Sequence, residues 1–185
     1  MKNKNNNGPH IALKDMEGLK DALGSDDLKV RLNAIKKLRM LGDRRSMGLL
    51  VDSLKDEHFD ARETAYRALC KVGYRAMPVL LQALDDKNFY IRMYAALVIT
   101  EEIKKHPGRK YGAAVIDALT HSLKDKSIYV RRSAYEALES IILAKAEKRY
   151  KRSLGLHSAR SRTEIEATIN AYLKEKQVDL SSFEV

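Results

Sequence analysis

The sequence predicts an all-α fold, a right-handed α-solenoid of about four helix pairs with an N-terminal half-repeat. A nine-residue pattern occurs four times along the chain, and stripes of apolar residues at helical spacing follow each copy. The 185 residues include only 3 Pro and 9 Gly. Because a fold of many short strands needs more turn-forming residues than this, the composition favours helices over sheets.

The repeated pattern aligns without gaps. It consists of a Leu, an Asp or Ser two residues later, two apolar positions and a closing Arg. The four copies read LGSDDLKVR, LKDEHFDAR, LDDKNFYIR and LKDKSIYVR and occupy residues 23–31, 54–62, 84–92 and 123–131. Intervals of 31, 30 and 39 residues separate the closing Arg residues. Such self-similarity indicates stacked units of one supersecondary structure.

Each copy predicts the start of a helix pair. The apolar stripe after the Asp predicts a first helix (A), which the Asp can cap or approach at its positive end. An Ala three residues after each Arg allows close approach of helices, and Gly42 and Gly73 are suited to end the first two A helices. A second stripe predicts a second helix (B). One pair buries its stripes only against neighbouring pairs, so the pairs must stack.

This pattern resembles the HEAT repeat, in particular the short HEAT-like repeats of phycobilisome-lyase-type proteins. The resemblance covers roughly residues 11–143. It implies a solenoid in which Asp and Arg residues of successive repeats form a hydrogen-bonded ladder. By position, the ladder residues are Asp56, Asp86, Asp125, Arg31, Arg62, Arg92 and Arg131. The first repeat departs from the pattern, because Ser25 stands in the place of the Asp.

The ends of the chain differ in composition from the repeats. Residues 1–10 are rich in Asn and Lys, which predicts disorder because little apolar surface can be buried there. Residues 11–152 form the predicted solenoid, and its first helix (11–23) is the half-repeat. The remaining segments are a basic linker (153–162), a capping helix (163–176) and a tail (177–185).

Charge and cysteine content constrain the partner and the compartment. The net charge of +10 favours an acidic partner, and residues 144–162 are the most basic segment for their length. The single Cys70 excludes an internal disulfide and suits a reducing compartment. The chain shows neither a signal peptide nor an apolar run long enough to span a membrane, so we expect a cytoplasmic protein with no membrane partner.

The B helices carry the first candidate surface. The segments 46–54, 76–84 and 114–123 contain no Lys or Arg, and B helices line the concave face of HEAT-like solenoids. The HEAT-like DNA glycosylases resemble this architecture, but a groove that wraps duplex DNA needs cations to replace phosphate counterions. The sequence therefore predicts a protein partner, or else a merely solvated face. The predicted contact residues are Asp52, Ser53, Gln82, Ala83, His121 and Ser122.

Basic residues gather where A helices end. They are Arg44, Arg45, Arg75, Lys104, Lys105, Arg109, Lys110, Lys145, Lys148, Arg149 and Arg152. A basic edge of this kind either complements the negative ends of helix dipoles or binds the phosphates of RNA or DNA. The insertion EEIKKHPGRKYG, which lengthens the third interval, adds His106 and Tyr111 to this set and is either a contact loop or a solvated turn.

Catalysis finds little support in the sequence. The five His residues form no ligand pair at helical spacing, and Asp117 with His121 supplies only two ligands for a cation. The repeated His-Glu pairs of HEAT-repeat deoxyhypusine hydroxylases are missing, as is a phosphate-binding loop. We therefore expect no enzyme activity, no metal and no small-molecule cofactor. A lyase-like or metal-dependent enzyme is a distant third hypothesis.

Overall fold

The computed structural model describes residues 13–154 and, beyond them, Ala167 and Ala171, both helical. The helices are α1 (Leu13–Leu23), α2 (Leu28–Leu41), α3 (Arg44–Asp52), α4 (Phe59–Val72), α5 (Met77–Ala83), α6 (Phe89–Lys105), α7 (Ala113–Ser122) and α8 (Ile128–Leu154). Short 3-10 turns follow α3 and α4. No strand occurs among these residues, and the predicted all-α fold is confirmed. The predicted disordered start (1–10), the tail (177–185) and nearly all of the linker and capping helix lie outside the described residues.

The helix boundaries follow from capping. The side chains of Asp27 and Asn88 accept hydrogen bonds from backbone N–H groups in the first turns of α2 and α6. These caps come two residues after the Ser or Asp of the repeat pattern. The pattern Asp therefore does not cap the A helix but lies near its positive end, the other predicted place, where Asp86 accepts the N–H of Asn88 at 2.7 Å. At the other end, Gly42 and Gly73 terminate α2 and α4 with φ of 59° and 66°, as predicted. Gly adopts this positive-φ backbone at little cost in free energy, because it has no Cβ, whereas other residues are strained there.

The chain divides into two compact units, the first ending at Val79 and the second beginning at Leu80. In the first unit α2 packs against α1, α3 and α4. The core holds Ile35, Leu38, Leu50 and Leu69, which are fully buried. Burial of each such side chain stabilises the fold by about 1.5–3 kcal/mol, so the apolar stripes supply most of the driving force for packing.

In the second unit α8 packs against both α6 and α7. Ala95 and Ala134, the small residues three positions after the pattern Arg, are completely buried. The hydroxyl of Thr100 on α6 lies 2.8 Å from the carbonyl oxygen of Ser133 on α8, which is also buried. Side chains this small allow α6 and α8 to approach closely enough for a hydrogen bond between helices.

Candidate functional site

Of the two predicted contact residues in the first unit, one is exposed and the other is buried. Asp52, at the end of α3, is exposed and lies 3.8 Å from the ammonium group of Lys55. Ser53 is buried, and its hydroxyl donates to the carbonyl oxygen of Leu49 at 2.8 Å. A partner that approaches from solvent therefore meets Asp52 and not Ser53.

The second unit repeats this division. Gln82 on α5 and His121 on α7 are exposed, whereas Ala83 and Ser122, the next residues, are buried. The Ser122 hydroxyl donates to the carbonyl oxygen of Ala118 at 2.9 Å. A helix turns about 100° per residue, so neighbours in sequence point in clearly different directions. Ser53, Ala83 and Ser122 therefore serve packing, and the accessible part of the predicted contact set is Asp52, Gln82 and His121. We use the name B-helix face for these three positions because they share one place in the repeat, Asp52 in the first unit and Gln82 and His121 in the second.

Two predicted ladder residues of the first unit form an ion pair between repeats. The Nε of Arg31 donates to Asp56 Oδ2 at 2.9 Å, and its Nη2 donates to Oδ1 at 3.2 Å. The two side chains are only 5% and 11% exposed. A guanidinium group that is bound through two parallel hydrogen bonds fixes both the distance and the orientation of the two repeats.

The second unit contains the equivalent pair. Arg92 donates from Nε and Nη2 to the carboxylate of Asp125, at 2.7 and 3.3 Å. Burial raises the pKa of Asp125, but the hydrogen bonds from Arg92 and from the Ser127 N–H, together with nearby positive charge, lower it to below the usual value. The hydrogen bond to Asp125 in turn raises the pKa of Arg92, against the effect of its own burial. Both groups therefore stay charged over the physiological pH range.

Every pattern Arg also holds the turn within its own repeat. The Nη1 of Arg62 donates to the carbonyl oxygens of Asp56 and Glu57 at 2.7 and 2.9 Å, six and five residues earlier. Equivalent bonds occur at Arg31, Arg92 and Arg131. These carbonyl contacts, which the sequence analysis missed, explain why the spacing between Asp and Arg does not vary.

The predicted basic edge contains both solvated and engaged cations. Arg44, Arg45, Lys105, Lys110 and Lys145 are exposed. Three others meet acceptors of the protein: Arg75 donates to the Gly42 carbonyl oxygen at 2.6 Å, Lys104 to Glu136 at 2.5 Å, and Arg109 lies 3.8 Å from Glu102. Lys148, Arg149 and Arg152 lie on α8, and their side chains are outside the described residues.

Glu136 is the partner of Lys104. The hydrogen bond from Lys104 lowers the pKa of the Glu136 carboxyl below its usual value, and a second hydrogen bond from Arg132 adds to this effect against partial burial. The contact joins α6 to α8. Part of the positive charge at the end of α6 thus serves packing inside the second unit.

Comparison with known proteins identifies the repeat. A sequence model of the family described as HEAT repeats matches residues 16–100 and 77–154, well over half of the chain. The chain belongs to the HEAT-repeat family. The match does not reach the finer likeness to phycobilisome-lyase-type repeats, which stays a prediction.

One similar solved structure is the crystal structure of an engineered protein from the Northeast Structural Genomics Consortium. It is 16% identical in sequence, and the alignment covers 89% of this chain and 80% of that one with a TM-score of 0.42. A search of curated protein sequences found no match.

The insertion in the third HEAT repeat folds back onto its own helix. Tyr111, which was grouped with the phosphate-contact residues, is buried, and its hydroxyl lies 3.3 Å from the carbonyl oxygens of both Glu102 and His106. The Glu102 carboxylate is also buried, and it lies 3.9 Å from His106 Nε2. Tyr111 therefore anchors the lengthened turn and is not accessible to a ligand.

A cluster of aromatic rings lies on the surface of the second unit. Phe89 and Tyr90 open α6, and their ring centroids are 5.2 Å apart; the Tyr129 ring on α8 lies 6.4 Å from that of Phe89. Tyr90 and Tyr129 are 41% and 63% exposed. This ring cluster was not predicted from the sequence, although the adjacent aromatic residues of NFYIR and the Tyr of SIYVR were its signal.

The described part of the chain offers no metal centre. Within it, no group of three or more His, Cys, Asp and Glu side chains is arranged to hold a metal ion. Asp117 and His121, the predicted two-ligand pair, are both exposed. Among the same residues, no helix combines the length and apolar character needed to cross a membrane.

Proposed function

We propose that this HEAT-repeat protein is a non-enzymatic scaffold that binds another protein through its B-helix face. The observation that supports this proposal is the exposure of Asp52, Gln82 and His121, which occupy the same position in their three repeats. Each of these positions is followed by a buried residue, and one exposed polar position in each repeat suits contact with a protein partner. HEAT repeats commonly serve protein interactions, and the face fits that use.

The chemistry of the face favours a protein over nucleic acid. Helices α5 and α7 contain no Lys or Arg. They therefore supply no cations that could replace the counterions of a phosphate backbone. An amide and an imidazole both donate and accept hydrogen bonds, as do the backbone and side chains of a protein partner. We therefore expect binding that changes little with salt concentration.

The proposal is tested by affinity capture from an extract of the source cells. Gln82→Arg places a long cation on the exposed part of α5. It should reduce recovery of the partner about tenfold or more, an effect comparable to the loss of binding on truncation of an important interface residue. Lys71→Glu, at an exposed position of α4, is the matched control and should leave recovery unchanged. Equal recovery with both variants would contradict the assignment of the face.

Binding of RNA or DNA backbone along the basic edge is the alternative function. The exposed Lys105, Lys110 and Lys145 support it, while the contacts of Arg75, Lys104 and Arg109 with acceptors of the protein support helix-end packing instead. Titration with labelled single- and double-stranded nucleic acid at two salt concentrations separates the hypotheses. The alternative requires affinity that falls steeply with salt and falls further when Lys148 and Arg149 are changed to Glu.

A lyase-like or metal-dependent enzyme stays the third hypothesis. Metal that co-purifies in stoichiometric amount, measured by elemental analysis, would support it. Loss of that metal on Asp117→Asn or His121→Ala would place it at the two-ligand pair on α7.

A further inference from the structure

The residues of the ring cluster follow, within a few positions in the chain, residues that line a charged cleft of the second unit. The cleft has a volume of about 500 Å³ and lies between the turns that precede α6 and α8. Lys87 lines it two residues before Phe89, and Lys126 lines it three residues before Tyr129. The ring cluster and the cleft therefore share the N-terminal ends of α6 and α8, two helices that are packed against each other.

The lysines of this cleft are available, and Arg92 engages one of its carboxylates. Lys87, Lys124 and Lys126 are exposed, and none of them forms an ion pair with a described residue. We call these three residues the lysine rim. Asp125 is bound by Arg92, and Asp86 accepts the N–H of Asn88 at 2.7 Å. The lining carries four cations and three carboxylates, a net charge of +1, and of the three carboxylates only that of Asp85 is exposed, 3.9 Å from His121.

We propose that the ring cluster and the lysine rim form a docking site for an acidic peptide segment that carries an aromatic or large aliphatic side chain. That side chain packs against Phe89 and Tyr129, and the carboxylates of the segment face the lysine rim. Tyr is enriched at interface centres because its ring buries a large area for few rotatable bonds. Charge complementarity adds orientation and speeds association.

A peptide fits these residues better than a single-stranded nucleic acid does. The rings are inclined to one another by 51° and 53°, so they do not form the parallel platform on which successive bases stack. Asp85 keeps an exposed carboxylate in the cleft, and a chain with a phosphate at every residue is repelled there. A peptide carries its carboxylates at separate positions and can place them at the lysine rim alone.

The inference rests on the proposed function, since it names the partner class and a second contact surface for the same scaffold. It makes a separate prediction about residues, however. Gln82 marks the B-helix face alone, Tyr129 marks the ring cluster alone, and His121 is avoided because it belongs to the face and also lines the cleft.

The test is selection of a random displayed peptide library on the immobilised full chain, followed by titration of one enriched peptide. We expect enriched sequences with net negative charge and an aromatic or large aliphatic residue. Tyr129→Ser should weaken binding about tenfold or more, and Lys126→Glu should do so at low salt, with a smaller effect at high salt. Phe59→Ser and Lys71→Glu change an exposed ring and an exposed lysine of the first unit and should have no effect.

The remaining outcomes overturn the inference in distinguishable ways. Enriched peptides that respond to Gln82→Arg but not to Tyr129→Ser would leave the B-helix face as the binding surface and remove the ring cluster. Selection that yields no peptide dependent on Tyr129, or yields only basic peptides, would reject the docking site while the cell-extract capture still tests the scaffold. An oligouridine strand whose binding is lost with Tyr129→Ser would assign the rings to RNA. Failure of both the selection and the capture would reject both proposals.

Discussion

The ion pair between Arg92 and Asp125 should contribute far more to stability than a surface pair of the same length. Its Nε–Oδ2 distance is 2.7 Å, and the side chains are 17% and 10% exposed. The pair of Arg67 and Glu63 on α4 has the same 2.7 Å separation but exposures of 72% and 26%. The two pairs thus hold distance constant and vary burial.

The expected magnitudes follow from solvent exposure. Removal of one partner of a buried pair costs about 3–5 kcal/mol, and some access of water reduces our expectation for Arg92→Met to about 2–3 kcal/mol. That figure includes the lost bonds to the carbonyl oxygens of Asp86 and Lys87. In a double-mutant cycle with Asp125→Asn these bonds cancel, which leaves a coupling energy of about 1–2 kcal/mol. For Arg67 with Glu63 we expect about 0.2–0.5 kcal/mol.

Urea unfolding followed by circular dichroism measures both cycles. The chain has no Trp, so helical ellipticity is a better signal than intrinsic fluorescence. Asp125→Asn keeps an oxygen that can accept the Ser127 N–H, which bonds to Oδ1 at 2.8 Å in the native chain. Equal coupling energies for the two pairs would refute the reasoning, because burial would then not decide the strength of the interaction.

Three further predictions concern pH, glycine and packing. Folding lowers the pKa of Asp125, so the difference in free energy of unfolding between the native chain and Asp125→Asn should be constant above about pH 4 and should shrink as the pH falls further. Urea unfolding repeated from pH 7 to pH 3 measures this difference. Gly42→Ala should lower the free energy of unfolding by about 1 kcal/mol or more because the φ of Gly42 is +59°. Gly48→Ala, within α3, should instead raise the free energy of unfolding by about 0.5–1 kcal/mol. A decrease for both variants would contradict the backbone argument. Ala95→Leu should destabilise the fold by about 1–3 kcal/mol or more, because the larger side chain overpacks the core. Ala113→Leu, at an exposed position, is the control. Similar thermal midpoints for the two variants would count against close packing of α6.

The sequence predicts the helices well because their cause is local. Apolar residues at helical spacing predict a helix that buries its apolar side. Gly42 and Gly73 mark the ends of the two helices that precede them. The register of the repeats was also predictable, since the nine-residue pattern aligns without gaps in all four copies even though an insertion lengthens the third interval. These features depend on residues that are close together in the chain.

The candidate surfaces were harder to predict because exposure depends on the neighbouring helix. Ser53 and Ser122 are polar, but each satisfies its hydroxyl within its own helix and can be buried at little cost. Tyr129 stands directly before the fully buried Val130, yet its own ring lies mostly in solvent. A single sequence gives the type of a side chain and the period of its helix, and it does not give the angle at which the next helix packs.

The carbonyl contacts of the pattern Arg have an evolutionary consequence. Each Arg completes the corner before its own A helix with acceptors five and six residues upstream, so the corner is built entirely from residues of one repeat. A tandem duplication that copies one whole repeat therefore copies a finished corner along with it. The length of such an array can change by single genetic events, and selection then needs to adjust only the side chains at the new junction.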